Sequence, residues 1–269
     1  MHLEPGKHIQ MTQHEFAERS VKILRGDRSV IGLTVGGSWL TNEIDEFSDL
    51  DLILVTTEKM TQDVARMKGF AEQMGDLLCG FTGEHVGEPR LLICLYDNPL
   101  LHVDIKFLTL EEFRDRVETP VILLDKEDQL KTVLRETQSA FPHPDYQWIE
   151  DRFWIWVHYV LLKLGRGEYV EAFDFFGFLR SVVLGPLLHI KNGNLPKGVR
   201  KVETQLPNED FVQLKSTLPE YTKSSLVETL QNAISLYRHL RTVLFTSEVV
   251  LQVNTENRVI QYMNEVKGR

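Results

Sequence analysis

Two aspartates separated by one leucine, Asp49-Leu50-Asp51, open an apolar run that continues as Leu52, Ile53, Leu54 and Val55. Side chains alternate across a strand, so Asp49 and Asp51 share one face while Leu50, Leu52 and Leu54 share the other. Carboxylates side by side repel each other and are costly to desolvate, and a divalent cation is the common remedy. Upstream, the run Val30 to Val35 ends at Gly36-Gly37-Ser38. Glycines let backbone N–H groups approach an anion, and Ser38 adds a hydroxyl donor. A phosphate cradle beside metal-binding carboxylates is the chemistry of nucleotide handling.

A third carboxylate joins them. In LLHVDIKFLTL, residues 100–110, His102, Asp104 and Lys106 fall on one strand face and Val103, Ile105 and Phe107 on the other. An aspartate inside such a strand is hard to explain by burial alone. Three carboxylates suit Mg²⁺, a hard ion that keeps waters and substrate phosphates among its ligands. Two such ions clamp an in-line displacement at an α-phosphorus, one polarising the attacking hydroxyl and the other holding pyrophosphate. His102 has three readings: orienting a ligand, accepting a proton, or hydrogen bonding within a partly buried strand. Lys106 either meets phosphate or faces solvent.

Gly-Gly-Ser, eleven residues from Ser38 to Asp49, Asp-x-Asp and a later lone strand aspartate resemble the pattern of the polymerase-β-like nucleotidyltransferase superfamily. EDRFWIWVHYVLLKLGRGE and the helical region after it look more narrowly like bacterial antibiotic nucleotidyltransferases of the lincosamide and aminoglycoside (streptomycin-type) groups. The resemblance implies an enzyme that moves a nucleoside monophosphate, AMP from ATP, to a hydroxyl of a small-molecule acceptor and releases pyrophosphate, with Mg²⁺ as cofactor. It implies Asp49, Asp51 and Asp104 as metal ligands, and Gly37 and Ser38 as triphosphate contacts. Trp39 stands where many relatives place an arginine or another polar residue. That leaves one phosphate contact unassigned, for which Lys106 is a substitute. In some relatives a neighbouring subunit completes the site, so a homodimer is an expected state. The competing readings are a nucleotide-binding sensor on the same fold, or an enzyme acting on RNA or protein.

The elements that must position these groups follow from pattern. Thr12-x-x-Glu15 predicts a helix start, with Gly26 as its end. A helix is predicted from about residue 61 to 78, stopped by Gly80. Strands are predicted over 90–96 and 101–108, joined by the turn Asp97-Asn98-Pro99, and a last short strand over 121–124. The fold expected is α+β: a mixed-sheet nucleotidyltransferase domain, residues 1–140, followed by an all-α helical bundle, residues 145–269, that supplies the acceptor pocket. Pro142 and Pro144 mark the linker. Helices are predicted at about 145–165, 168–192, 208–217, 221–246 and 254–267, with Trp148, Trp154, Trp156 and Tyr159 mostly in the core.

In the second half, EYVEAFDFFGFLRSVV carries Glu171, Asp174 and Arg180. Asp174 interrupts an apolar run, where an unpaired charge is expensive. Glu171 or Asp174 is a candidate general base or a binder of an acceptor ammonium group. Arg180 either meets the triphosphate or pairs with Asp174.

Composition bounds the partners. With 42% hydrophobic and 26% charged residues, the chain reads as an ordinary soluble globular protein. Charged residues break the long apolar runs, and the first ten residues carry no apolar leader, so neither membrane nor export is expected and a cytoplasmic location is. The net charge of −9 and the absence of a Lys/Arg stripe argue against a nucleic-acid partner and suit a small, cationic acceptor. Cys79 and Cys94 are expected as buried free thiols.

Overall fold

A computed structural model describes residues 5–267 except residue 62, with side chains from Thr12 onward. The chain divides into two compact units, Met1–Phe141 and Pro142–Arg269, each with its own core. The architecture is α+β, a mixed six-stranded sheet with helices followed by a helical region.

In the first unit the strands are β1 (Val30–Val35), β2 (Leu50–Thr56), β3 (Leu77–Gly83), β4 (Glu88–Tyr96), β5 (Leu101–Thr109) and β6 (Val121–Asp125). Their spatial order is β3-β4-β5-β2-β1-β6. β2 and β5 pair in parallel, and the other neighbours are antiparallel. β1 is wholly buried, as its unbroken apolar run requires for a strand covered on both faces. Leu50, Leu52 and Leu54 of β2 join Val103, Ile105 and Phe107 of β5 under α1 (Pro5–Leu24) and α2 (Val64–Met74). Each such side chain, fully buried, contributes about 1.5–3 kcal/mol. On the opposite face, Leu130 and Val133 of α3 (Gln129–Glu136) pack on Ile31, Val55 and Leu108. That second face also carries Asp51, Ile53, Asp104 and Lys106, by the alternation of β2 and β5.

Several expectations need correction. α1 begins at Pro5, so Thr12 lies inside the helix and does not start it. α2 starts where the Asp63 side chain accepts the Arg66 N–H, and it ends at Gly75. Met67, Phe70, Ala71 and Met74 form its buried stripe, and no further turn continues that stripe. Leu77, Leu78 and Cys79 belong instead to β3, where Gly80 sits opposite Cys94. This turns Cys79 outward, while Cys94 is buried as expected. Burial pushes the Cys94 thiol up to about 12, so it is inert.

The second unit contains α4 (Tyr146–Arg166), α5 (Tyr169–Leu179), α6 (Gly185–Lys191), α7 (Val202–Gln205), α8 (Asn208–Lys215), α9 (Lys223–Leu244) and α10 (Val253–Lys267). α4 opens on Asp145, whose side chain accepts the Trp148 N–H, and closes on Gly167 at φ 76°, a left-handed position that glycine adopts without strain. Leu226, Leu230, Ile234, Tyr237 and Leu240 of α9 form its buried stripe. Between α5 and α6 the helix widens into a π turn, Arg180–Leu184, closed by the Gly185 N–H on the Arg180 carbonyl. Pro186 explains the wider turn, because its ring cannot follow Val182 in a regular α ladder. The segment Tyr169–Lys191 is long and apolar enough to cross a membrane, and half of its most apolar window is buried. Of the four aromatics singled out on α4, Trp154 is fully buried, Trp148 is 40% exposed, and Trp156 and Tyr159 are half-buried.

Candidate active site

β1 and β2 run antiparallel with Val35 opposite Leu52, so the turn that ends β1 lies beside the strand start that carries the aspartates. The Gly36 N–H donates to the Asp51 carbonyl at 2.9 Å. The parallel register then sets Asp51 opposite Asp104 on β5. Asp49 adds its carboxylate from the residue before β2. The result is a cluster of Asp49, Asp51 and Asp104 in which one oxygen from each lies within 4.8 Å of the others. Asp49 is exposed and the other two are half-buried.

The donor set fits a hard divalent cation. Oxygen ligands at about 2.0–2.6 Å place opposite donors about 4–5 Å apart, which matches the spread of the cluster. Neither Asp49 nor Asp104 has a Lys or Arg ion-pair partner among the described residues. The Gly37 backbone, at φ +61°, passes so close that a Cβ there would lie 1.9 Å from Asp51 Oδ2. Gly37 is therefore required on two grounds: a left-handed φ, and the approach of a carboxylate oxygen to main chain.

The neighbours of the cluster divide into those that leave it open and those already engaged. His102 Nε2 lies 2.9 Å from Asp104 Oδ1, which holds that carboxylate in one orientation. Lys106 shares the face of Asp104 but is ion-paired with Glu88 at 2.7 Å. Burial alone would raise the Glu88 carboxyl, but hydrogen bonds and charge from Arg90 and Lys106 outweigh it and hold it at about 2. Trp39 stacks on His14 of α1 with ring centroids 4.1 Å apart. Its role here is to anchor the turn on the helix behind it.

Glu118 was not legible as a site residue. It sits on the connection before β6, and its carboxylate accepts the Gly37 N–H at 2.8 Å. The signal is the pairing of β6 with β1, Val121 opposite Val35, which brings residue 118 beside the Gly-Gly turn from 81 positions away.

The other residues singled out from sequence lie in the helical unit. Asp174 is exposed, so the cost of burying its charge does not arise. α5 buries Ala172, Phe176 and Leu179, and Asp174 falls off that stripe. Glu171 is exposed too; it accepts a hydrogen bond from the Tyr159 hydroxyl and pairs with Lys163 at 2.9 Å. Those two contacts, Tyr159 first, hold its carboxyl below the usual range. Arg180 donates to the Thr217 carbonyl, and no ion pair with Asp174 is present among the described residues. Burial pushes the Arg180 pKa down by disfavouring the charged form.

The family model of streptomycin adenylyltransferases matches residues 11–266. Among solved structures, an aminoglycoside 6-adenyltransferase from Bacillus subtilis is similar at 17% identity, over 95% of this chain and 98% of that one, with a TM-score of 0.40. The comparison with curated proteins gave no match. Membership rests on the family match, and it bears out the resemblance to streptomycin-type antibiotic nucleotidyltransferases. The chain belongs to the streptomycin adenylyltransferase family and is an adenylyltransferase.

Proposed function

We propose that this enzyme transfers AMP from ATP to a hydroxyl of an aminoglycoside, with Asp49, Asp51 and Asp104 holding Mg²⁺ and with pyrophosphate as the second product. The observation that carries the reading is the convergence of three carboxylates within 4.8 Å beside a glycine turn. Bound Mg²⁺ would supply Lewis-acid stabilisation of the charge that develops around the α-phosphorus. Gly37 and Ser38 bring a backbone N–H and a hydroxyl towards the phosphates. His102 fixes the Asp104 carboxylate through its 2.9 Å contact. Asp174, exposed, is suited to an acceptor ammonium group, whereas Glu171 is already neutralised by Lys163 and is the poorer base of the two. Lys106, engaged by Glu88, reaches phosphate only after releasing that partner, and Arg180 is held by the Thr217 carbonyl within the helical unit.

The net charge of −9 supports a cationic acceptor over RNA. The test is pyrophosphate release from ATP and Mg²⁺ with streptomycin, other aminoglycosides, a lincosamide and RNA offered in turn. Release that depends on an aminoglycoside is expected. Release driven by the lincosamide or by RNA, or nucleotide binding with no transfer, would contradict the proposal.

A further inference from the structure

The backbone N–H that a phosphate should use is already taken. Gly37 donates to a Glu118 carboxylate oxygen at 2.8 Å. The same oxygen lies 2.4 Å from where a Cβ of Gly36 would stand, so the carboxylate rests directly on the two-glycine turn. Asp51 Oδ2 also approaches the turn closely, 1.9 Å from where a Cβ of Gly37 would stand. Glycine at both positions is what admits an anion to the main chain, and here the anion is a side chain of the protein itself.

We propose that Glu118 occupies a phosphate seat of the nucleotide-free enzyme and that a nucleotide phosphate must displace it, so that Glu118 sets nucleotide affinity. The inference rests on the nucleotide reading above. One N–H cannot serve two anions at full strength, and two anions a few ångströms apart repel. Glu118 is suited to leave: it lies on an irregular connection, its side chain is half-buried, and its carboxylate is held by the Gly37 N–H. The carboxylate keeps the donor satisfied while the seat is empty, and it raises the phosphate concentration needed to fill it.

The experiment measures dissociation constants of a nonhydrolysable ATP analogue, with Mg²⁺, for the wild type, E118Q and E118A. Inorganic tripolyphosphate and adenosine serve as partial probes. E118A should bind the analogue and tripolyphosphate roughly tenfold more tightly, and E118Q roughly threefold, in line with a charge-assisted hydrogen bond lost by the competitor. Adenosine, which lacks phosphate, should bind all three alike. E118Q keeps the side chain's size and an acceptor oxygen, so it reports even if E118A is unstable. Unchanged or weaker binding of the analogue by both variants, with the wild type binding, would make Glu118 a brace of the turn and overturn the inference alone. A gain shared by adenosine would also overturn it. If neither the wild type nor the variants bind the analogue, the nucleotide reading fails and takes this inference with it.

Discussion

On the sheet, Asp49, Asp51 and Asp104 gather three carboxylates within 4.8 Å, while in the helical unit Glu150 and Glu256 gather around Arg241. The second group is satisfied from within. Glu150 is fully buried, and it accepts hydrogen bonds from the Tyr237 hydroxyl at 2.5 Å, Arg241 at 3.1 Å and the Gln252 N–H at 2.9 Å. Glu256 takes Arg238 at 2.7 Å and Arg241 at 2.9 Å. Burial, then the neighbouring Glu150, pushes the Tyr237 hydroxyl pKa up, so it stays a donor. The network ties α4 to α9 and α10. In the sheet cluster His102 lies 2.9 Å from Asp104, and neither Asp49 nor Asp104 has a Lys or Arg ion-pair partner among the described residues. Acidic groups whose partners are supplied by the chain hold the fold together, whereas the sheet cluster is the place where the proposed Mg²⁺ would supply the compensating charge.

The sharpest break between the two groups is functional. D49N, D51N and D104N are each expected to lower adenylyl transfer by roughly 10³-fold or more, since each removes charge from the proposed metal site. Their melting temperatures should stay level or rise, because like-charge repulsion is relieved. E150A should do the reverse. Removing a buried charge that others depend on costs about 3–5 kcal/mol, seen as an earlier denaturation midpoint, with activity per folded molecule retained. If D104N unfolded the protein, or E150A abolished transfer without loss of stability, the contrast between the groups would be wrong.

A smaller effect is expected at Gly37. G37A forces a left-handed φ on alanine and drives a methyl into Asp51, so transfer should fall by about 10²-fold with roughly 1–2 kcal/mol of lost stability.

The smallest effect tests the ion pairs at the other end of the same sheet face. The Glu88 carboxyl is held at about 2, below its usual 4.5. A depressed carboxylate contributes stability that is full above the unfolded pKa and lost as pH falls through the folded one. Stability from the Glu88 pairs should therefore be complete above about pH 5 and decline towards pH 2, a difference of roughly 1 kcal/mol after solvent screening. E88Q should flatten that part of the acid denaturation curve. An unchanged curve would remove Glu88 from the ledger of stabilising pairs.

Much of the sheet site was readable because it obeys a local rule. The alternation of Leu50, Leu52 and Leu54 fixes the face of Asp51, and the alternation around Val103 and Ile105 fixes that of Asp104. That the two faces are one face follows from pairing β2 with β5, which the motif spacing anticipates. Misreadings came where local signals are ambiguous. Leu77-Leu78-Cys79 is too short a run to separate a last helical turn from a strand, and Gly75 ends the helix one glycine before the expected stop. Asp174 sits among apolar residues in sequence, but Phe173 and Phe178 beside it are themselves exposed, so apolar neighbours did not mean burial. Glu118 carries no local mark at all. Its meaning comes from a hydrogen bond across 81 residues, which only the assembled sheet creates.

The most direct measurement is uptake of Mn²⁺, as a paramagnetic stand-in for Mg²⁺, by the wild type and by D104N with a nonhydrolysable ATP analogue present. Free Mn²⁺ is read from its electron paramagnetic resonance signal. The wild type should deplete the free signal and D104N should not, although both remain folded by circular dichroism. Equal depletion by D104N, or none by the wild type, would mean that Asp49, Asp51 and Asp104 are not a metal site.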